Sequence, residues 1–409
     1  MFRVPAKGYG LISFVPILFG LSVVIFPATL RAQEASGDLV GGAGIFRPKN
    51  PESKHSASPS RPRPARLTAA EIEERYEDAL SDGNDARDAR KYTVAETSYR
   101  LALNLKPRDA RAPYGLGNIF TDQQRWDDAE KSYRQAMDFA ATNPEILIAL
   151  SFVLVQPRTG AVYAKRFADA EYYAQRATQL APNSAIAFDR LGVAKTARGL
   201  FNNDTESSFR RALELDPNFV VARVHLARVL RHLNRFSEAD TLYKSAIDQA
   251  KDAATLVLIA DAMQTEQRWN DSDPVLRRAL QMDPRNPGAL FLLGKLLAVN
   301  RNYAEAEPVL KNAVEVNPKS FPARNILGRV YLGLERYDDA FRTYEQAAGL
   351  ASDADRKQLA GQFGFGGVGD GYASKGRSRD AVRAYQRALQ LDPNNSELQS
   401  KLAAARANP

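Results

Sequence analysis

The sequence contains no cysteine, which excludes disulfides, thiolate metal ligands and cysteine nucleophiles. Histidine is almost as scarce. His55, His225 and His232 are its only copies, too few and too scattered for a histidine-rich metal site. No nucleophile elbow, phosphate loop or zinc-protease helix occurs along the chain, so no constellation for hydrolysis or phosphoryl transfer is present and neither an enzyme nor a cofactor is implied. A surplus of one charge is lacking too, once its distribution is read. The net charge is +8, but residues 1–66 carry nine Lys or Arg against Glu34, Asp38 and Glu52, a net +6, leaving about +2 for residues 67–409. A near-neutral folded region argues against nucleic-acid binding, so an RNA-binding repeat is the least favoured class.

Long apolar runs are confined to the start. Arg3 and Lys7 precede a largely apolar stretch from Leu11 to Leu30, after which the chain turns polar at Arg31, Gln33 and Glu34. That order is the pattern of a secretory signal. Ala32 supplies a small residue for cleavage, although Leu30 is larger than the side chain preferred two positions earlier. The alternative for residues 1–32 is an uncleaved membrane anchor through residues 11–30, since about 20 apolar residues span a bilayer; Pro16, Gly20 and Pro27 weaken it. Either reading predicts an exported protein, periplasmic, secreted or anchored in the cell envelope, with the membrane touched only by this segment if it stays. Residues 33–66 are rich in Pro, Gly and Ser and read as a disordered linker. Within it, Gly41 to Pro51 carries the single aromatic Phe46, a composition that suits a tether better than a docking peptide.

The rest of the chain repeats. Alanines seven residues apart recur as Ala95 and Ala102, Ala129 and Ala136, Ala170 and Ala177, Ala306 and Ala313, Ala340 and Ala347, and Ala381 and Ala388. In three more units Thr205, Ala239 and Ser272 precede Ala212, Ala246 and Ala279 by the same interval. The first positions advance by 34, 41, 35, 34, 33, 34, 34 and 41 residues, one period with two insertions. Seven residues are close to two helical turns, so both small side chains share a face that a neighbouring helix can approach closely. Four residues after the first alanine stands a bulky group, such as Tyr99, Tyr133, Phe209, Leu310 or Tyr344. Twelve residues before it lies a second small slot, at Gly83, Gly117, Ala227, Ala260, Gly294, Gly328 and Gly369, with Gly192 displaced by one. An aromatic three residues before the alanine, usually preceded by a base, marks a turn, and a proline such as Pro107, Pro217 or Pro318 closes most units.

This pattern resembles the tetratricopeptide repeat family over about residues 76 to 394, most specifically at Leu116-Gly117, Leu191-Gly192, Leu293-Gly294 and Leu327-Gly328 with Tyr331. The resemblance implies an all-α, right-handed α-solenoid of about nine antiparallel helix pairs over residues 67–394, whose concave face binds peptides or folded partners. Residues 395–409 then supply a capping helix and tail, needed because a solenoid must close its last apolar face. Thr68 and Glu71 form a capping box ahead of the first helix. Two units depart from the pattern. In the third, Pro157 and Arg158 stand where the leucine-glycine pair belongs, within a segment from Gln156 to Lys165 that reads as a loop. In the ninth, Gly361 to Gly371 is rich in glycine, which costs about 1 kcal/mol per residue in a helix and suits a hinge. Gly364, Gly366 and Gly369 there have the spacing of a dinucleotide loop, but no strand precedes them.

On the first helices, the positions without a packing duty include Tyr114, Asn118, His225, Arg228, Arg231, Phe291, Lys295, Asn325 and Arg329. Bases and aromatics predominate, which suits a protein or peptide partner with an acidic or carboxylate-ended segment. The family's carboxylate clamp is not reproduced, because Tyr114 stands where a lysine would precede Asn118. The function expected is a non-catalytic interaction scaffold in the envelope or outside the cell, the alternative being a regulatory or substrate-recruiting subunit of an envelope enzyme complex.

Overall fold

The computed structural model describes residues 67–158 and 163–407. The sequence readings of a signal or anchor at 1–32 and a linker at 33–66 fall outside these residues. Within them the chain forms twenty α-helices and no strand. They run in pairs: α1 (Ala69–Asp88) with α2 (Tyr92–Leu105), α3 (Arg111–Asp122) with α4 (Trp126–Phe139), α5 (Pro144–Leu154) with α6 (Tyr163–Leu180), α7 (Ala185–Ala197) with α8 (Asn203–Leu215), and α9 (Val220–His232) with α10 (Phe236–Gln249). Three regular pairs follow, α11 (Ala253–Thr265) with α12 (Trp269–Met282), α13 (Pro287–Val299) with α14 (Tyr303–Val316), and α15 (Phe321–Gly333) with α16 (Tyr337–Ala348). The ninth unit has its first helix in two pieces, α17 (Asp353–Ala360) and α18 (Phe365–Ser374), against α19 (Ser378–Leu391), and α20 (Ser396–Ala407) ends the array. Each helix packs on its partner and on the next pair. The fold is therefore an all-α solenoid of nine units, as the period required.

Local chemistry starts and stops these helices. Thr68, Asn143, Ser184, Asp252, Asn286 and Ser320 each cap a first helix through a side-chain oxygen, worth about 1 kcal/mol apiece. The turn inside a pair places one residue in the left-handed region, at Arg90, Gln124, Gly199, Asn234, Gln267, Arg301, Glu335 and Gly376. The next residue's N–H then reaches back to the first helix, as in Arg235 N to Leu230 O at 2.8 Å and Arg336 N to Tyr331 O at 2.9 Å, satisfying carbonyls that would otherwise be orphaned. The base at the end of this turn is also used. Arg235, Arg268, Arg336 and Arg377 each bridge to an acid on the preceding second helix, at 2.7 Å to Glu206, 3.0 Å to Asp240, 2.8 Å to Glu307 and 2.8 Å to Asp338. These bridges, each with at least one partner open to solvent, align neighbouring units but add little stability singly.

The repeated small residues are core. Every one of the eighteen, from Ala95 to Ala388 and including Thr205 and Ser272, is 2% exposed or less. The bulky residue four positions on, such as Tyr99, Tyr133, Phe209 or Tyr344, crosses the first helix at its small slot. A Cβ built on Gly369 would lie 2.5 Å from the Tyr385 ring, and one on Gly328 would run into Tyr344.

The two long units hold their seven extra residues in different places. In the third, the small slot is Ser151, buried on α5 after Leu150, and not Arg158. α5 ends at Leu154 and α6 begins at Tyr163, inside the loop expected through Lys165, so part of the extra length is an added turn at the start of α6. Arg158 instead pins the connection between the two helices to α4, through Asp127 at 2.6 Å and Glu130 at 2.7 Å. In the ninth, the extra residues form α17, and the break after it is held by close backbone contact at Gly364 and Gly367 while Gln362 and Phe363 stay exposed. A Cβ on Gly364 would meet the Leu359 carbonyl and one on Gly367 the Gln362 carbonyl, while the Tyr344 hydroxyl donates to Phe363 O at 2.7 Å. The glycines serve close backbone contact there, which argues against the free hinge suggested by composition.

Two glycines separate steric from conformational need. Gly328→Ala is expected to cost about 1–3 kcal/mol through overpacking against Tyr344. Gly376 lies at φ 72° in open space, so Gly376→Ala should cost about 1 kcal/mol through backbone strain alone. Thermal and urea unfolding followed by circular dichroism would show the order, and a costless Gly328→Ala would contradict this account of the slot.

Candidate peptide-binding groove

The residues singled out on first helices fall into two groups in space. Tyr114 and Asn118 are on α3, whereas His225, Arg228 and Arg231 are on α9, Phe291 and Lys295 on α13, and Asn325 and Arg329 on α15. Helices α9, α11, α13 and α15 pack side by side, so the last seven share one surface, and α3 is separated from it by α5 and α7. One register organises that surface: Arg228, Lys295 and Arg329 each follow the small slot of their helix. Asp261 follows Ala260 in the same register on α11 and was not among the residues singled out, although its position in the period could have found it.

Packing has already claimed several of these groups. The Tyr133 ring passes over Gly117 and its hydroxyl donates to Asn118 Oδ1 at 2.7 Å, while the Tyr114 ring lies 5.7 Å from that of Tyr133. The same device ties Asn84 to Tyr99 at 2.7 Å. Asn325 is only 6% exposed. His225 Nδ1 lies 2.7 Å from Oδ1 of Asp189, a residue of α7 with no exposure at all. Burial alone would push the Asp189 carboxyl up, but the His225 imidazole, with Arg190, holds it below its usual range.

Acids interleave with the bases, contrary to the basic surface expected. Glu266, at the end of α11, takes Arg231 Nε at 3.0 Å and the Tyr243 hydroxyl at 2.8 Å, with Arg228 Nε at 4.0 Å. Burial pushes its carboxyl above the usual range in spite of these donors. Asp261 and Lys295 are different. Both are half-buried, and no ion pair or side-chain hydrogen bond holds the charged end of either among the described residues. Lys295 Nζ sits 5.0 Å from the centre of the Trp269 ring. Burial pushes the Lys295 ammonium down, only partly opposed by Asp261, and pushes the Asp261 carboxyl up against Lys295 and Arg228. Arg329 is exposed and stacks 4.9 Å from the centre of the Phe363 ring, itself 55% exposed at the break before α18. Such a surface can bind a chain by ion pairing and aromatic contact. Among the described residues no group of histidines and acids could hold a metal ion, and no helix is long and apolar enough to cross a membrane.

Stacked antiparallel helix pairs with a register of this kind define a helical-repeat interaction domain. Tetratricopeptide repeat models match residues 70–144 and 222–257, a TPR repeat model matches 369–408, and the model of anaphase-promoting complex, cyclosome, subunit 3 matches 266–347. The chain is a tetratricopeptide repeat protein. It is 25% identical over 268 residues to the cellulose synthase operon protein C of Pseudomonas fluorescens, covering 62% of this chain and 20% of that protein. The protein of the same name from Xanthomonas axonopodis is 28% identical over 196 residues, covering 46% of this chain and 13% of the relative. The chain thus spans about a fifth or less of the length of these relatives. Among solved structures, a tetratricopeptide repeat protein from Parabacteroides merdae is 17% identical with a TM-score of 0.47, covering 62% of this chain and 98% of that one. The pilF protein of Pseudomonas aeruginosa is 18% identical with a TM-score of 0.41, covering 53% and 96%.

Unpaired, half-buried charges reduce stability. Because the Asp261 carboxyl is raised in the fold, its contribution favours folding at low pH and is lost as pH rises through its folded-state value. Replacing both groups, Asp261→Asn with Lys295→Met, should therefore stabilise the protein at neutral pH by about 1 kcal/mol or more. The gain from Asp261→Asn alone should shrink as pH falls through the carboxylate range. Unfolding midpoints measured across pH check both, and a destabilised double variant at neutral pH would contradict the assignment.

Proposed function

We propose that this chain is a non-catalytic interaction scaffold that holds a protein or peptide segment in the groove of α9, α11, α13 and α15. Half-buried charges left unpaired at Asp261 and Lys295 carry this reading, because a fold rarely keeps such groups unless something binds them. Beside them Arg329 and the exposed Phe363 offer a guanidinium and an aromatic face to a carboxylate-bearing segment. Tetratricopeptide folds support binding and name no task by themselves.

The site of action follows from the leading segment. With Arg3 and Lys7 ahead of the apolar run 11–30, the chain is exported, and the scaffold works in the envelope or outside the cell. A second reading, a regulatory or substrate-recruiting subunit of an envelope enzyme complex, is favoured by the likeness to cellulose synthase operon protein C over 62% of this chain.

Affinity capture from a bacterial envelope extract tests the scaffold, with the intact protein and the triple variant Arg228→Glu, Lys295→Glu, Arg329→Glu as parallel baits. A partner retained by the first and lost by the second is the expected result, with retention weakening as salt is added. Equal retention by both baits would move the binding surface away from the groove.

A further inference from the structure

The residue that follows the small slot recurs along the array, and its fate depends on the second helix behind it. Asn84 and Asn118 accept the hydroxyls of Tyr99 and Tyr133 at 2.7 Å each. At the other end Asp370 accepts from Tyr385 at 2.7 Å and from Lys401 of α20 at 2.9 Å. In the middle the hydroxyl is missing or diverted. Leu276 and Leu310 replace tyrosine behind Asp261 and Lys295, Tyr243 turns to Glu266, and Tyr344 turns to Phe363 O. Arg228 lies within 4.0 Å of Glu266. Three consecutive helices, α11, α13 and α15, are left with a carboxylate, an ammonium and a guanidinium in one register that no ion pair or hydrogen bond engages among the described residues.

The spacing of this row converts into a ligand. Neighbouring packed helices lie about 10 Å apart, and an extended chain of the polyproline II form rises about 3.1 Å per residue with three residues per turn, so one unit of the array corresponds to about three residues and side chains at three-residue intervals share one face. A negative, a positive and a positive site in succession then match a cation and two anions at three-residue intervals. Phe291 lies four residues before Lys295 on the same face and is half-buried, so an apolar side chain suits the place beside the middle anion.

Resting on the groove reading above, we propose that α11, α13 and α15 take an extended peptide segment of mixed charge, with its cation on Asp261 and its two anions on Lys295 and Arg329. The selectivity is as much repulsive as attractive. A uniformly acidic segment in the same register sets an anion against Asp261, a half-buried carboxylate, and loses what the other two contacts gain. This separates the preferred segment from the plain acidic tail that the bases alone would suggest.

Fluorescence anisotropy with labelled, end-blocked peptides and the full-length protein at low ionic strength tests the register. The probe is Ser-Lys-Ser-Ala-Glu-Leu-Ala-Glu-Ser, made also in reverse order because the groove polarity is open. The controls are a same-composition peptide with Lys-Glu-Glu contiguous and a peptide with Glu replacing Lys. One of the two patterned orders is expected to bind about tenfold tighter than both controls. Lys295→Glu should remove that preference, and a patterned peptide with Lys in place of its middle Glu should restore binding to that variant. Arg329→Glu, at an exposed position, gives the same readout for the last anion without disturbing the core. Equal binding of patterned and control peptides overturns the register and leaves the groove in place. No binding at roughly 1 mM peptide overturns the mixed-charge segment as the ligand, and equal capture of an envelope partner by the triple variant would separately overturn the groove.

Discussion

The close crossing of a bulky second-helix side chain over a first-helix residue without a large side chain is the contact on which the structure depends. Gly117 under Tyr133, Gly192 under Phe209, Gly294 under Leu310, Gly328 under Tyr344 and Gly369 under Tyr385 are the same contact repeated. It sets how near the two helices of a pair lie, and so it sets the room for the paired alanines one layer further in. A dense interior tolerates neither a void nor an added methyl at such a point. The period of the sequence is this packing written out in eight of the nine units, the third carrying Ala174 where the bulky residue stands.

The same contact reaches the functional surface. Where the crossing side chain is a tyrosine, its hydroxyl emerges beside the groove and can take the next polar group, as at Asn84, Asn118 and Asp370. Where it is leucine, the group that follows the slot is left for something else. At Asp261 and Lys295 core composition therefore leaves the groove position free, and a change from leucine to tyrosine behind either would alter binding without touching the binding residue. The ends of the array are settled internally while its middle is open, which is the distribution a scaffold with capped ends needs.

Much of this was legible from residue types and spacing. The nine units, the helix pairs, the buried alanines and the turn with its base all follow from a period near thirty-four residues, because each is a local packing rule applied repeatedly. The groove was legible only as a face. Asn118 and Asn325 have the register of free positions and are held or buried, while Asp189, Asp261 and Glu266 lie among bases and aromatics that dominate the pattern of the face. Helical register tells which face a side chain occupies and nothing about what lies opposite it on another helix.

By itself, then, the sequence determined the repeat, the solenoid and the small slots, since those depend on contacts at constant separation along the chain. Tertiary structure alone decided how the extra residues are used, with Arg158 pinned to α4 and α6 begun early at Tyr163 in one unit and with α17 in the other. It alone decided the pairings too. His225 meets Asp189 across 36 residues, and such a meeting turns on rotamers and on the distance between separate helices. No spacing rule encodes those, because they exist only once the units have stacked.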